Sequence, residues 1–255
     1  MNDNLKQKTI TKVKEYIPEY KAFMGINYFP KFDIIPFSNK QNMHVNFEKS
    51  IPELFINETY TSILKSKSKP GIFHEFTHIL DNKTLLPDLE NKEKEPLIKT
   101  YSEYHAVQVQ MKASLKFYNY QTEYYFSKDT KVNDWFDNKT VKEDAIYKTN
   151  DFVKTIQTLI SRENCTYGIL LHSIYYLSKI DFWNTYCKDD LSQYIAYDFL
   201  EILYKNVFKS YQFLLQNCNC SIKDFERIYN AQTLMMKDFI RRNPINDILN
   251  YKYKY

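Results

Sequence analysis

Apolar side chains recur every three or four residues along much of this chain, which is the spacing of one face of an α-helix. The first such stretch predicts an amphipathic helix over residues 1 to about 24 that ends near Pro18 or shortly after it, because proline interrupts helical hydrogen bonding. A second helix is predicted around Phe76, with Ser68 as its N-cap and Pro70 in its first turn. The spacing therefore indicates that helices are the main elements here.

The segment after the second predicted helix has a different pattern. Lys83 and Pro87 mark where that helix is expected to end. The stretch Pro87–Pro96 is rich in alternating Glu and Lys between two prolines, so it is predicted to be a charged loop. Helical spacing then returns, and it predicts a third helix from Tyr101 to Tyr120.

Helical spacing also dominates from about residue 140 onward. The segment Ile169–Ile180 is almost entirely apolar, so we expect it to form the buried centre of a helical bundle. A boundary is predicted near residues 127–140, where a polar stretch precedes Trp135. Three further helices are predicted in this half. One carries an apolar stripe from Phe152 to Ile160. The second is capped by Asp190 and runs through Val207, and the third is capped by Ser221 and spans Ile222–Arg241.

Residues 28–57 carry several prolines at a density that breaks helices, and they predict short extended pieces. Met43–Phe47 alternates between polar and apolar positions, as a half-buried strand does. Leu54–Asn57 is short and apolar and contains an aromatic and a β-branched residue, which is also typical of a strand. The predicted fold class is therefore α+β and mostly helical, with a short, small sheet.

Composition and charge argue against some classes of function. The 255 residues are 44% hydrophobic, which indicates a folded protein. The formal net charge is only +4, which is small for a nucleic-acid-binding protein, and the basic run Lys65–Lys69 is best explained as a solvated loop. The three glycines of the chain form no glycine-rich phosphate loop. We therefore expect no nucleic-acid partner.

The chain shows no segment that predicts export or membrane insertion. Its N-terminal residues are polar and do not resemble a secretory signal, so the predicted location is cytoplasmic. In a reducing compartment Cys165, Cys187, Cys218 and Cys220 are expected to be free thiols. The most apolar predicted helix is too short to span a bilayer, so no membrane partner is expected.

The run His74-Glu75-Phe76-Thr77-His78 carries the candidate chemistry. Residues i and i+4 lie on one face of a helix, so His74 and His78 present two imidazoles that suit one zinc ion. Glu75 is rotated by about 100 degrees from His74, which keeps it off the metal but within reach of a coordinated water. Zinc lowers the pKa of that water toward about 7, and Glu75 then acts as general base and passes the proton to the leaving amine. The motif predicts a zinc-dependent metallopeptidase, a hydrolase.

A catalytic zinc site needs a third protein ligand and an open position. The metzincin extension would require glycine at position 81 and histidine at position 84, where this chain has Asp81 and Thr84. Glu103 is the favoured third ligand, because it shares a helix face with Ala106, a small residue that would let two helices approach closely. His105 is the alternative ligand, and it points in a different direction from Glu103.

Other acidic residues near the motif have different predicted roles. Glu90, Glu93 and Glu95 fall in the predicted charged loop and are expected to be solvated. Asp81 lies on the same helix face as the two histidines, so it either accepts a hydrogen bond from a ligand imidazole or helps to end the helix.

These features together resemble the ImmA/IrrE family of zinc peptidases from bacteria and their mobile elements. The shared order is the short strand Leu54–Asn57, a polar linker, the His-Glu-x-x-His helix and a helix opening with Glu103-x-x-Ala106, within about residues 45–120. The resemblance implies a gluzincin site with His74, His78 and Glu103 on zinc, and a protein substrate that is often a transcriptional regulator. It also implies a zincin-like core, which we assign to residues 1–130, with the small sheet packed on the motif helix. The helical spacing of the second half separately predicts a C-terminal helical region over residues 131–255. The two regions are predicted to be separate domains or one continuous domain.

Several questions stay open at this stage. The oxyanion-stabilising group of a peptidase could be Tyr101, Tyr104, His172 or another tyrosine. The alternative function is a regulatory or binding protein that retains a zincin scaffold and uses its C-terminal helices as an interaction surface. Attack on a bond other than a peptide is a third option. A turnover assay on generic peptides separates the peptidase from the binding protein.

Overall fold

The computed structural model of this protein describes residues 3–37, 43–57, 69–132, 139–162 and 166–255. The predicted Ser68 cap, most of the basic run from Lys65, Cys165 and the middle of the predicted boundary lie outside these residues. Within them the chain is mostly helical with one small sheet, which confirms the coarse α+β prediction. The α-helices are α1 (Asp3–Met24), α2 (Lys69–Thr84), α3 (Asn91–Ser114), α4 (Val141–Ser161), α5 (Thr166–Tyr186), α6 (Tyr197–Tyr204), α7 (Val207–Gln216), α8 (Ile222–Arg242) and α9 (Ile245–Asn250).

The described sheet has three short strands in the order β1-β3-β2. They are β1 (Asp33–Phe37), β2 (His44–Asn46) and β3 (Glu53–Asn57), so both predicted strands are present and β1 is an additional one. β1 runs parallel to β3, and β2 runs antiparallel to it with Val45 opposite Leu54. β2 also contacts α2, which places this edge strand of the sheet beside the His-Glu-x-x-His motif.

α2 carries the motif and is anchored through its apolar face. Phe76 and Ile79 are fully buried, and Phe76 packs against Tyr20 of α1 with ring centroids 5.4 Å apart. The Tyr20 hydroxyl lies 3.0 Å from the Thr77 hydroxyl, so a hydrogen bond also ties α1 to α2. Because the phenylalanine and isoleucine side chains point into the core, the histidines of the same helix face the opposite direction, toward a cleft.

The prediction of a charged loop over Pro87–Pro96 is wrong from Asn91 onward, because α3 begins at that residue. Glu90 and Glu93 form a capping box, in which each side chain accepts a hydrogen bond from the backbone of the other residue. The alternation of Glu and Lys therefore belongs to an N-terminal helix turn. At the other end, α3 ends at Ser114 and not at Tyr120, because Lys116 adopts a left-handed conformation with φ of 57°.

α1 spans Asp3–Met24, which confirms the helix predicted over residues 1 to about 24, and it does not end at Pro18, because the residues after the proline, including Tyr20, are buried in the core. Another helix differs from the prediction. The helix predicted from Asp190 through Val207 is instead divided into a 3-10 turn, α6 and α7. Lys205, which follows α6, has a φ of 50°, and a continuous α-helix does not allow this value. Asp190 does not cap a long helix as predicted; its carboxylate accepts a hydrogen bond of 2.8 Å from the backbone N–H of Ser192, the first residue of the 3-10 turn.

α5 is the buried helix predicted from its apolar sequence, and its Ile174, Leu177 and Ile180 are almost or fully inaccessible. It packs against α3, since the Ser178 hydroxyl donates a hydrogen bond of 2.7 Å to the carbonyl of Tyr104. α8 begins at the predicted Ser221 cap. The second half of the chain therefore forms a wall beside α3, while the division near residue 130 stays a prediction.

Three described cysteines are free thiols, namely Cys187, Cys218 and Cys220. Cys220 lies on the surface with its sulfur 3.6 Å from the Tyr101 hydroxyl. Separately, no helix within the described ranges combines the length and the apolar character that a bilayer crossing requires.

Candidate metal centre

The two motif histidines lie one helical turn apart on α2 and face each other. Their Nε2 atoms are 3.1 Å apart, and the two rings are nearly perpendicular with centroids 4.8 Å apart. Two imidazole nitrogens at this separation point toward one position in space. The spacing of four residues on a helix therefore has the geometric consequence expected from the sequence.

Glu103 completes this cluster from the neighbouring helix α3. Its Oε2 atom is 3.3 Å from His78 Nε2 and 3.7 Å from His74 Nε2. The three potential ligand atoms lie within 4.8 Å of one another, and in the described residues this is the cluster that could hold a metal ion. Ala106, one turn further along α3, is completely buried and allows α2 and α3 to approach closely.

The hydrogen bonds within the cluster leave two of its buried polar atoms without a partner. His78 Nδ1 lies 2.9 Å from the Ser102 hydroxyl oxygen, which orients the ring so that Nε2 faces Glu103. Among the described residues, Glu103 Oε2 is buried without a hydrogen-bond partner, and so is His74 Nδ1. Buried polar atoms are normally satisfied, so an unsatisfied carboxylate oxygen beside two imidazole nitrogens suits a positively charged ligand.

Glu75 is buried beside the cluster, with 9% of its surface exposed. Burial raises the pKa of its carboxyl to about 7, although His74 lowers it and Glu103 raises it further. Burial also acts to raise the pKa of Glu103, but His78 and His74 together hold that pKa well below its usual range. The two carboxyl groups therefore differ: Glu103 stays a carboxylate and Glu75 exchanges a proton near neutral pH.

Tyr175 of α5 approaches the cluster from the second half of the chain. Its ring centroid is 6.3 Å from that of His74. Burial and the negative charge of nearby Glu103 raise the pKa of the Tyr175 hydroxyl well above its usual value. The phenol therefore keeps its proton and remains a hydrogen-bond donor at neutral pH.

Two clefts meet at this cluster. The first has a volume of about 220 Å³ and extends along β2 and the N-terminal half of α3. The second has a volume of about 360 Å³ and extends toward the C-terminal half of α3, α4 and α5. Both clefts are lined by Met43, His74, Glu75 and Tyr175. The cluster therefore lies in the middle of an elongated groove.

The other sequence-predicted residues lie elsewhere. Asp81 and His105 pair with each other, with His105 Nδ1 3.0 Å from one carboxylate oxygen and 3.1 Å from the second. The hydrogen bond to a motif histidine that was considered for Asp81 is made by Ser102. The Asp81–His105 pair thus links α2 to α3 outside the cluster.

The candidate oxyanion residues named from the sequence are also distributed differently. Tyr104 donates a hydrogen bond of 2.7 Å to Asp181, and Tyr101 lies near Cys220. Neither of them lines the two clefts, and the same is true of His172, which packs edge-on against Tyr175 with centroids 5.9 Å apart. Ser102 and Tyr175 are the residues that the sequence did not single out. Ser102 precedes a predicted ligand, but nothing in the sequence distinguishes Tyr175 from the other tyrosines.

Comparisons with protein-family models, with curated proteins and with solved structures find no match to this chain.

Proposed function

We propose that this protein is a zinc-dependent metallopeptidase that hydrolyses a peptide bond in a protein or peptide substrate. The observation that carries the proposal is the convergence of His74, His78 and Glu103 on one point, with Glu75 buried beside it and a groove leading away on both sides. Two imidazoles and one carboxylate are a donor set of catalytic zinc sites, which keep one position open.

The residues fit a zinc ion on structural grounds. Nitrogen and carboxylate oxygen are ligands that zinc accepts, and Glu103 Oε2 is buried here without another partner. The Ser102 contact presets the orientation of the His78 ring, as hydrogen bonds to the second ring nitrogen do in known zinc sites. His74, His78 and Glu103 would hold the ion, and the cysteine-free donor set favours a catalytic site over a structural one.

The side chains around the cluster divide the hydrolytic chemistry among them. A bound zinc ion supplies Lewis acidity, which polarises a carbonyl and lowers the pKa of water. Glu75 takes the proton of the attacking water and gives it to the leaving amine, and its pKa of about 7 suits both transfers. The Tyr175 hydroxyl, which lines both clefts beside the cluster, donates a hydrogen bond to the negative charge that develops on the carbonyl oxygen.

The shape of the groove favours an extended substrate. Met43, His44, Val45 and Phe47 line the first cleft, so β2, an edge strand of the described sheet, borders it. Extended peptides commonly bind beside the edge strand of a sheet, where they continue its hydrogen bonding. A peptide running along β2 would continue past Glu75 into the second cleft.

The zincin-like core, the family resemblance, the cellular location and the kind of substrate belong to the same proposal. The sheet, the motif helix and Glu103 on the next helix support a zincin-like core and the resemblance to the ImmA/IrrE zinc peptidases. In that setting the protein is cytoplasmic, and its substrate is a protein that could include a transcriptional regulator. Neither statement is required for the chemistry at Glu75.

The proposal is tested with a degenerate peptide library, zinc-loaded wild-type protein and two variants, with products identified by mass spectrometry. We expect cleavage by the wild type and a loss of several orders of magnitude in Glu75→Gln with zinc retained. Tyr175→Phe should lower turnover by about 10²–10³, the effect typical of removing one oxyanion donor, and should also retain zinc. A zinc-loaded wild type without turnover, or an active Glu75→Gln variant, would contradict a peptidase and favour the alternative of a binding protein.

A further inference from the structure

Asn82 lies on the motif helix at a position that the proposed chemistry does not use. It follows His78 by four residues on α2, so His74, His78 and Asn82 lie along one face of the helix. It lines the first cleft, and only 8% of its surface is exposed. Its carboxamide therefore belongs to the wall of this cleft, one helical turn beyond the second motif histidine.

The side chain of Asn82 forms no hydrogen bond with any described residue. The buried polar side chains around it are paired, Asp81 with His105 and Ser102 with His78. Buried polar groups are normally paired, and a carboxamide has one acceptor oxygen and two N–H donors. An unpaired carboxamide in the wall of a cleft indicates a ligand that offers both a donor and an acceptor.

An extended peptide in the first cleft would present such a ligand. When one edge of the peptide pairs with β2, the N–H and C=O groups of every second residue point away from the sheet. Burying these groups in the cleft costs free energy unless they find partners there. The oxygen and the N–H of a carboxamide match the N–H and the C=O of one such residue.

The remaining lining of the first cleft leaves this task to Asn82. The metal cluster uses two histidines and one carboxylate, and Ser102 is bonded to a motif histidine. Glu95 and Lys99 are exposed, so water competes for their hydrogen bonds. Ile98 is almost completely buried and gives the cleft an apolar wall, where a hydrogen bond is stronger than in water.

We propose that Asn82 binds the backbone of the substrate in the first cleft, accepting a hydrogen bond from the N–H of one residue and donating one to its C=O. The inference rests on the proposed peptidase function and adds a residue that fixes the substrate relative to the metal centre. Because backbone groups are recognised, the contact accepts most side chains at that position. Proline, which has no N–H, should be rejected there.

The experiment uses zinc-loaded Glu75→Gln protein and the members of a degenerate peptide library that it retains. Each retained peptide is remade with one ester in place of a backbone amide, and the ester is moved along the chain. An ester lacks the N–H and is a weaker acceptor. At one position the ester should weaken binding about tenfold because of Asn82, as the loss of a buried hydrogen bond predicts. Adding Asn82→Leu should abolish the penalty at that position and leave the penalties that come from pairing with β2.

Gln110→Leu is the matched control, because Gln110 has an amide side chain that lines the second cleft and not the first. It should leave the ester penalty assigned to Asn82 unchanged. Asn82→Leu should also keep the zinc content of its parent. Asn82→Ala replaces it if melting curves show that leucine prevents folding.

A kinetic comparison separates binding from a general structural effect. With Glu75 intact, Asn82→Leu should raise KM about tenfold and leave kcat nearly unchanged, because the contact is made equally in the ground state and the transition state. A fall in kcat with an unchanged KM would overturn the inference.

Ester penalties that all survive the Asn82 substitution would overturn the inference, and so would retained peptides that bind the Asn82 variant as tightly as its parent. A library from which no peptide is retained would overturn it as well. A penalty that depends on Asn82, in a protein whose wild type shows no turnover, would contradict the peptidase proposal and leave the role of Asn82 supported.

Discussion

Ser102 shows how one residue outside the motif sets the geometry of the cluster. Its hydroxyl lies 2.9 Å from His78 Nδ1, and its side chain is buried between α2 and α3. This contact leaves His78 Nε2 facing His74 and Glu103. A histidine that ligates a metal commonly has its other ring nitrogen held in this way, which fixes both tautomer and orientation.

The prediction at the residue scale concerns this hydroxyl. Ser102→Ala should lower zinc affinity by about 10–100-fold, because the His78 ring loses its fixed orientation, while the fold is retained. Competition for zinc with a chelating dye measures the change. Thr100→Ala, a nearby buried hydroxyl on α3 that bonds Gln232 and not a cluster residue, is the matched control. Equal zinc affinities of the Ser102 variant and the wild type would contradict this role.

Local spacing and tertiary packing account for different parts of the cluster. His74, Glu75 and His78 could be placed from the sequence because the helical repeat alone determines their relative positions. Ser102 and Tyr175 could not, because their positions depend on how α3 and α5 pack against α2. The same holds for Asp81, whose helix face was predicted but whose partner, His105, is fixed by the packing of α3.

At the scale of elements, the close packing of α2 and α3 brings Glu103 to the histidines. Ala106 is fully buried on α3 near the contact, and Thr77 is fully buried on α2. A small residue at a helix interface lets the backbones approach, and a larger one forces them apart. The position of Glu103 relative to His74 therefore depends on a side chain that does not touch the metal.

The prediction at this scale is that Ala106→Leu separates the two helices. It should destabilise the protein by about 1–3 kcal/mol, the usual effect of overpacking, and weaken zinc binding beyond the loss of fold. Denaturant unfolding and zinc titration of the folded protein measure the two effects. Ala113→Leu, at a half-buried position on α3, serves as control and should change neither strongly.

Element boundaries were predictable where a local signal decides them. Ser221 caps α8 as its hydroxyl and the following sequence indicate, and Pro70 lies in the first turn of α2. The start of α3 was missed because the Glu90–Glu93 capping box resembles a solvated charge run in sequence. The division between α6 and α7 was missed because nothing in the lysine at position 205 signals its left-handed conformation.

At the scale of the whole molecule, a buried carboxyl joins the two halves of the chain. Asp181 of α5 accepts hydrogen bonds from Tyr104 of α3 and from Gln212 and Gln216 of α7. Burial raises its pKa to about 6, while these donors act to lower it. The helices that supply Tyr175 and Lys179 to the groove are thus held on α3 partly through one titratable group.

A pH dependence of stability follows from Asp181. Since its pKa is raised by folding, the folded protein binds this proton more tightly than the unfolded chain, and the contribution grows as pH falls below about 6. The unfolding free energy of wild type minus that of Asp181→Asn, both metal-free, should become more positive by on the order of 1 kcal/mol as the pH falls from about 7.5 to about 5. Urea titrations at both pH values test this, and a difference that stays constant or shrinks would contradict it.

The packing of the second half around the groove was beyond sequence reasoning. Helical periodicity gave the apolar faces of α4 and α5, and it identified α5 as buried. It could not show that Lys148, Tyr175 and Lys179 meet beside α2, because those contacts join residues about a hundred positions apart in the chain. Long-range contacts of this kind depend on the complete core and not on any local pattern.

The central claim is that one zinc ion is held by His74, His78 and Glu103, and native mass spectrometry of purified protein supplied with zinc tests it most directly. We expect wild type and His105→Ala to carry one zinc ion per chain and Glu103→Ala to be recovered without metal. Wild-type protein that remains metal-free, or zinc that is lost from His105→Ala but retained by Glu103→Ala, would contradict the account.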